Sequence, residues 1–450
     1  MPRRLFLAVV ALSVAAFLLG ASKQRAVRPI AHPATGPTFS KEVVRIFQES
    51  CQSCHHPGDI APFSLMDYTC AKQYAAQIKL MTQTHQMPPW KPTAGCGDFA
   101  DPRTISQDAI DTIAKWVNNG APEGNPADLP PPLDFSSGWT LGQPDLVLSY
   151  PETYTPPAEG DMYRCFPLPT NLTSDQYVSA IDIHPGDRKT VHHAIAFIDK
   201  GVASQGLDES DAAPGYTCFG GPGFDITDSA AATLGGWAPG TIASRFPEEV
   251  AFSLPANSRV VLQVHYHSHD GQPLPDKTEI GIYYAQKKPQ KVLRILPVWN
   301  LSLAIPPNES DHVERATFDL PFFAPPVHLW AIYPHMHLLG RSIHAEAALP
   351  SGKTECLINI DNWDFNWQGM YRYKNPISMP ALTRFIVEAH YDNSSDNLRN
   401  PNSPPKPVYW GEKTTDEMLI AFLAFTLDNE NLQSTGQLEA KWVPQFPNWR

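Results

Sequence analysis

A proline stands at 46 of the 450 positions and a glycine at 27, and no other property narrows the folds open to the chain as much. Each proline removes a backbone donor and locks φ, which disfavours long helices and uninterrupted central strands alike. The expected architecture is therefore mainly β, with many short strands joined by turns and layered as antiparallel sandwiches. The length allows about three domains, each with its own core. A formal charge of −12, without any run of Lys or Arg, speaks against nucleic acid and against an anionic membrane surface as partners.

The first 22 residues have the layout of an export signal: Arg3 and Arg4, then an apolar run from Leu5 to Leu19, then Gly20-Ala21-Ser22. The apolar run is short for a membrane-spanning helix, an uncleaved anchor being the alternative, and no cysteine at the exit invites a lipid. No later stretch is apolar for long enough to span a bilayer. The mature protein is thus expected in the periplasm or outside the cell, without stable membrane insertion, where disulfides are permitted.

Downstream, a helical rhythm of Phe39, Val43, Val44, Ile46 and Phe47 runs into Cys51-Gln52-Ser53-Cys54-His55. Two thiols on one helical turn can reach the two vinyl groups of one porphyrin while the next histidine faces its iron. A zinc or a redox dithiol would also use the two cysteines but would leave that histidine unexplained. One covalent c-type haem on Cys51, Cys54 and His55 is expected. For the sixth iron ligand the first choice is Met87 in Gln86-Met87-Pro88-Pro89-Trp90, because prolines hold a loop extended and a thioether suits an electron-transfer haem; Met66, Met81, His56 and His85 are its rivals. Ser106 is placed to cap a closing helix with Ile110, Ile113, Ala114, Trp116 and Val117 inward. Residues 37–125 thereby resemble a class I cytochrome c, a small all-α domain. Cys70 and Cys96 flank the methionine loop, and a disulfide between them would pin it.

Residues 126–145, centred on Pro130-Pro131-Pro132, read as a semi-rigid spacer. Beyond them, alternating segments such as Leu146-Val147-Leu148-Ser149-Tyr150 predict strands. On a strand His335 and His337 of Tyr333-Pro334-His335-Met336-His337 would share a face, ~7 Å apart, with Met336 pointing away. The adjacent His192 and His193 would face opposite sides, so both reach one ion only where the strand twists or bulges.

Five stretches now carry a specific likeness. Met162-Tyr163-Arg164-Cys165, the run from Thr190 through His192-His193 to Phe197, Val261-Leu262-Gln263-Val264-His265-Tyr266, Pro334-His335-Met336-His337-Leu338-Leu339-Gly340 and Thr414-Thr415-Asp416-Glu417-Met418 are similar, in order and approximate spacing, to the copper type II, ascorbate-dependent monooxygenases. That family includes the peptidylglycine α-hydroxylating and dopamine β-hydroxylating enzymes. The resemblance implies two antiparallel, jelly-roll-like sandwich domains, 146–289 and 290–450, of eight to nine strands each. It implies an electron-entry copper on His192, His193 and His265, an oxygen-activating copper on His335, His337 and Met418, and a Cys165–Cys218 disulfide. Two imidazoles and a thioether suit Cu(I). His267 and His269 are read as neighbours of the ligand set or as solvent-facing, and Cys356 is left without a partner. Where peptide-amidating members carry an arginine, an asparagine and a tyrosine to hold a carboxylate, this chain has Tyr333, Ile420 and Phe422, so a neutral or aromatic substrate is expected.

The expected function is a haem- and copper-dependent monooxygenase, with one haem and two coppers. Its partners would be a small organic substrate, O₂ and a periplasmic electron donor. A non-catalytic protein that moves electrons or handles copper in the periplasm is the alternative.

Overall fold

The computed structural model describes residues 36–434, apart from 60, 136–137, 227–231, 269–271 and 273. The export signal and His269 lie outside the described residues. Strand is the main regular structure of the rest, well ahead of helix, as expected for a chain this rich in proline.

One antiparallel sheet runs in the order Tyr216–Thr217, Gly160–Pro169, Arg259–Ser268, Val191–Asp199, Thr233–Trp237. Facing it is a sheet in the order Leu146–Ser149, Glu279–Tyr284, Gln176–His184, Val250–Leu254, Lys291–Val292. Leu168, Val178, Ala194, Val264 and Ile280 interdigitate between them. Here five strands face five, more than the eight or nine expected in all, and the Lys291–Val292 pairing with Val250 and Ala251 is parallel. The chain therefore completes the first sandwich after residue 290, the expected boundary, before it starts the second.

That second sandwich sets Arg294–Trp299, Ile420–Leu427, Val327–His335 and Tyr371–Met379 against His312–Asp319, Arg384–Tyr391, Gly340–Ala348 and Thr354–Ile360. Leu329, Ile343, Val387 and Phe425 fill the space between. Ala331 and Ala424, on the other face of its first sheet, join the core of the first sandwich. Ile420-Ala421-Phe422-Leu423-Ala424-Phe425 is apolar at every position because neither of its faces meets water.

Ahead of the sandwiches lie four short helices, Val44–Ser50, Tyr68–Gln73, Ala75–Gln83 and Gln107–Asn118. Ser106 accepts the Ala109 N–H at 3.2 Å, and Ile110, Ile113, Ala114 and Trp116 are buried, as the sequence pattern expects; Val117 is only half-buried. Phe39, Phe47, Ile113 and Trp116 form the core of this segment.

Two expectations about it are corrected. Cys96 pairs with Cys356, not with Cys70, which remains a thiol, while Cys165 pairs with Cys218 as the resemblance implies. The reason is that the loop carrying Cys96 leaves the helices and runs along the second sandwich. Thr93 N–H donates to Asn359 O, Lys374 N–H to Asp98 O and Ala100 N–H to Arg372 O, each at 2.8 Å. Nor does the proline-rich segment stand free as a spacer. Gln48 donates to Pro131 O at 2.8 Å, His56 stacks on Phe135 at 4.0 Å, and Trp139 stacks on His184 at 4.0 Å.

Candidate metal centres

Three neighbouring strands assemble the first histidine set. His265 is the register partner of Tyr163 on one side and of His193 on the other, so alternation places all three side chains on one face. His192 would point away on a regular strand, but the ladder shifts register between Val191 and His193. That irregularity turns both histidines toward the same point. His192 Nδ1 lies 3.1 Å from His193 Nδ1, which lies 3.4 Å from His265 Nδ1. The Asp161 carboxylate can only accept, so His265 donates Nε2–H to it at 2.9 Å and keeps Nδ1 free to bind. Burial and the neighbouring imidazoles hold His192 and His193 well below the ordinary histidine range, and burial holds His265 below it against the pull of Asp161. Three neutral rings thus converge their nitrogens, which fits a cation of the copper or zinc kind. His192 Nε2, on the other side of that ring, is buried without a hydrogen-bond partner. His267 donates Nδ1–H to Asp161 at 2.7 Å.

The second set departs from a strand pair. Val327–His335 ends at its histidine, and His337 lies in the connection to Gly340–Ala348. Their rings still meet, centroids 5.1 Å apart at 86°, because the connection is tight: a Cβ at Gly340 would come within 2.8 Å of Trp363 and 2.9 Å of Met336. Met336 is buried in the core of the second sandwich. His335 donates Nδ1–H to Gln368 Oε1 at 2.6 Å, and His337 donates Nδ1–H to the Asp416 carbonyl at 3.1 Å. Both rings keep Nε2 available, and burial lowers their pKa to about 4 and about 3. The buried Glu417 carboxyl accepts the N–H groups of His337 (2.8 Å), Leu339 (2.7 Å) and Met418 (3.1 Å). Burial pushes it up to about 8 although those donors pull it down. One side chain therefore ties the histidine connection to the methionine, which is the physical content of the Asp-Glu-Met stretch.

The two sets adjoin. His193 and His335 have ring centroids 6.1 Å apart, and Phe365 stacks on His192 at 4.2 Å while its edge approaches His337 at 5.8 Å. Tyr163, His193, His335 and Met418 all border one cavity of ≈ 180 Å³ between the sandwiches. Its other walls are mostly apolar, among them Ile195, Phe197, Leu234, Trp237 and Phe422, and among the described residues no Lys or Arg lines it. The Glu412 carboxyl borders it, pushed up to about 7 by burial and by Asp416.

At the helical end, Cys51 and Cys54 are half-buried thiols just past Val44–Ser50. Burial pushes the Cys51 thiol up to about 12 and raises Cys54 as well, the opposite of what a redox dithiol needs. His55 donates Nδ1–H to Phe63 O at 3.0 Å, leaving Nε2 available. Two unbridged thiols and an oriented imidazole fit covalent haem attachment. Met87, whose N–H donates to Met81 O at 3.1 Å, follows the helix Ala75–Gln83.

Comparison with known proteins finds monooxygenases. Dopamine beta-hydroxylase of Bos taurus is 28% identical over 183 residues, which is 37% of this chain and 29% of that protein. DBH-like monooxygenase protein 1 is 22% identical over 258 residues in Homo sapiens, 54% of this chain and 40% of that one, and 22% over 251 residues in Gallus gallus. The chain is similar to monooxygenases. It spans well under half the length of these curated relatives, and no family model matches. Among solved structures, PNGF-II aligns with 62% of this chain and 65% of its own at a TM-score of 0.29 and 10% identity, which carries no argument.

Asp161, Gln368, Phe365 and Glu412 escaped the sequence reading. Asp161 falls opposite His267 in the antiparallel ladder of two strands far apart in sequence, a pairing visible only once the register is known.

Proposed function

We propose that the chain is an exported haem- and copper-dependent monooxygenase that hydroxylates a C–H bond of a small, neutral, apolar or aromatic molecule with O₂, electrons entering through the haem. What supports this most is that two imidazole sets, one from each sandwich, meet on the wall of a single apolar cavity. His192, His193 and His265 would hold one copper, and His335, His337 and Met418 the other. Copper bound there supplies oxygen activation and one-electron storage. The chain's own residues fix the rings through Asp161, Gln368 and the Asp416 carbonyl, and exclude water with the facing sandwich sheets. Tyr333 and Phe422, ring centroids 5.9 Å apart, and Ile420 would seat the apolar body of the substrate. Among the described residues no Lys or Arg lines the cavity to pair a carboxylate. Cys51, Cys54 and His55 would carry the haem, with Met87 as its sixth ligand.

Metal and haem quantitation on the purified chain should give two coppers and one haem. Replacing His335 and His337 with alanine should remove one copper and leave the haem spectrum unchanged. Oxygen uptake with product analysis should show turnover of neutral aromatic compounds and little of glycine-extended peptides. A chain that binds no copper, or that turns over such peptides efficiently, contradicts this reading.

A further inference from the structure

Asp161 is shared between the two sandwiches. It lies on Gly160–Pro169 in the first, opposite His267, with its side chain 9% exposed. Oδ1 accepts from His265 Nε2 at 2.9 Å, from His267 Nδ1 at 2.7 Å and from the Thr414 hydroxyl at 2.8 Å, and Oδ2 accepts the Thr414 N–H at 3.1 Å. Thr414 belongs to the second sandwich, is 2% exposed, and opens the segment that ends in Met418. Two residues along the Asp161 strand, Tyr163 donates its hydroxyl to Glu412 O at 2.7 Å. The strand that orients His265 therefore grips the methionine arm twice.

We propose that Asp161 couples the two metal sites, so that loading the first histidine set fixes the Met418 arm and tightens metal binding at His335, His337 and Met418. This rests on the reading that both sets bind copper. An imidazole whose Nδ1 holds a cation is a stronger donor from Nε2, so an occupied first set strengthens the His265–Asp161 bond and fixes the carboxylate plane. That plane also sets where Thr414 sits, through two bonds with different directions. By linkage, metal on the second set tightens the first by the same factor.

The experiment is a stepwise anaerobic Cu(I) titration of the full chain against a competing chelator. In the wild type the second copper should bind at least about fivefold more tightly once the first is bound, the lower end of common coupling strengths. Thr414→Val, which removes the hydroxyl and touches no ligand, should make the two affinities independent while the Cu(II) electron paramagnetic resonance spectrum of the first set stays as in the wild type. Thr414→Ser should restore the coupling. Asp161→Asn, read in parallel against its thermal midpoint, should abolish coupling in a folded chain. Independent binding of two coppers in the wild type, or coupling that survives Thr414→Val and Asp161→Asn, overturns the proposal and leaves the monooxygenase reading intact. A wild type that binds no copper overturns that reading, and this proposal with it.

Discussion

Gln368 does for His335 by a side chain what the Asp416 carbonyl does for His337 by the backbone: each accepts an Nδ1–H and so fixes which nitrogen stays available. The Gln368 amide is itself held, donating Nε2–H to Phe365 O at 2.9 Å. Gln368→Leu frees the tautomer and the ring, and the affinity of that site for copper should fall about 10–100-fold, read by chelator competition, with the haem spectrum unchanged. The pairs His192-His193 and His335-His337 stood out because each is close in sequence, while His265 and Met418 were singled out only through the resemblance. The supports of these ligands were not legible: Gln368 stands 33 positions from His335, and Asp161 stands 104 from His265, so only the folded register brings them together. The irregularity at His192 was legible only as a condition: adjacent histidines share one face only where the strand twists or bulges, and it was the resemblance, not the spacing, that put both on one ion.

Among the elements, the closing helix Gln107–Asn118 was readable because its cap and its apolar spacing agree. The His335–His337 pair was placed on one face on the condition of a strand, which ends at His335, because alternation says nothing about where a strand stops. Local polar anchors set such ends. Asp199, at the end of Val191–Asp199, accepts from Ser204 N, Ser204 Oγ and Gly201 N. Burial opposes ionisation of Asp199, yet these bonds win and hold its pKa below the ordinary 3.8. A carboxyl depressed in the folded state adds stability above its unfolded pKa and loses it as pH falls through the folded value. Denaturant titrations from pH 5 downward should therefore show a smaller acid-induced loss in Asp199→Asn than in the wild type. The disulfide separates two readings in the same way. Cys356→Ser should cost about 2–5 kcal/mol by chemical denaturation, whereas Cys70→Ser should leave the midpoint within ordinary scatter. The Cys96–Cys356 pairing was beyond sequence because 260 positions separate the two residues.

At the scale of the whole molecule, composition foretold layered strands but not how the layers meet. The sheet containing Ile420–Leu427 covers its own core with one face and the first sandwich with the other, and this shared sheet is what lets histidines from two sandwiches come within ring contact. Among the described residues no helix is long and apolar enough to cross a membrane. The helical segment is fastened to the second sandwich by a disulfide and by backbone bonds from Thr93 to Ala100, while residues 129–135 run largely exposed. A protease that nicks that exposed stretch therefore severs the chain without dividing the particle. On a denaturing gel the nicked protein should migrate as one species without reductant and as two with it, and any cofactor the helical fragment carries should stay with the sandwiches until the sulfur bridge is opened.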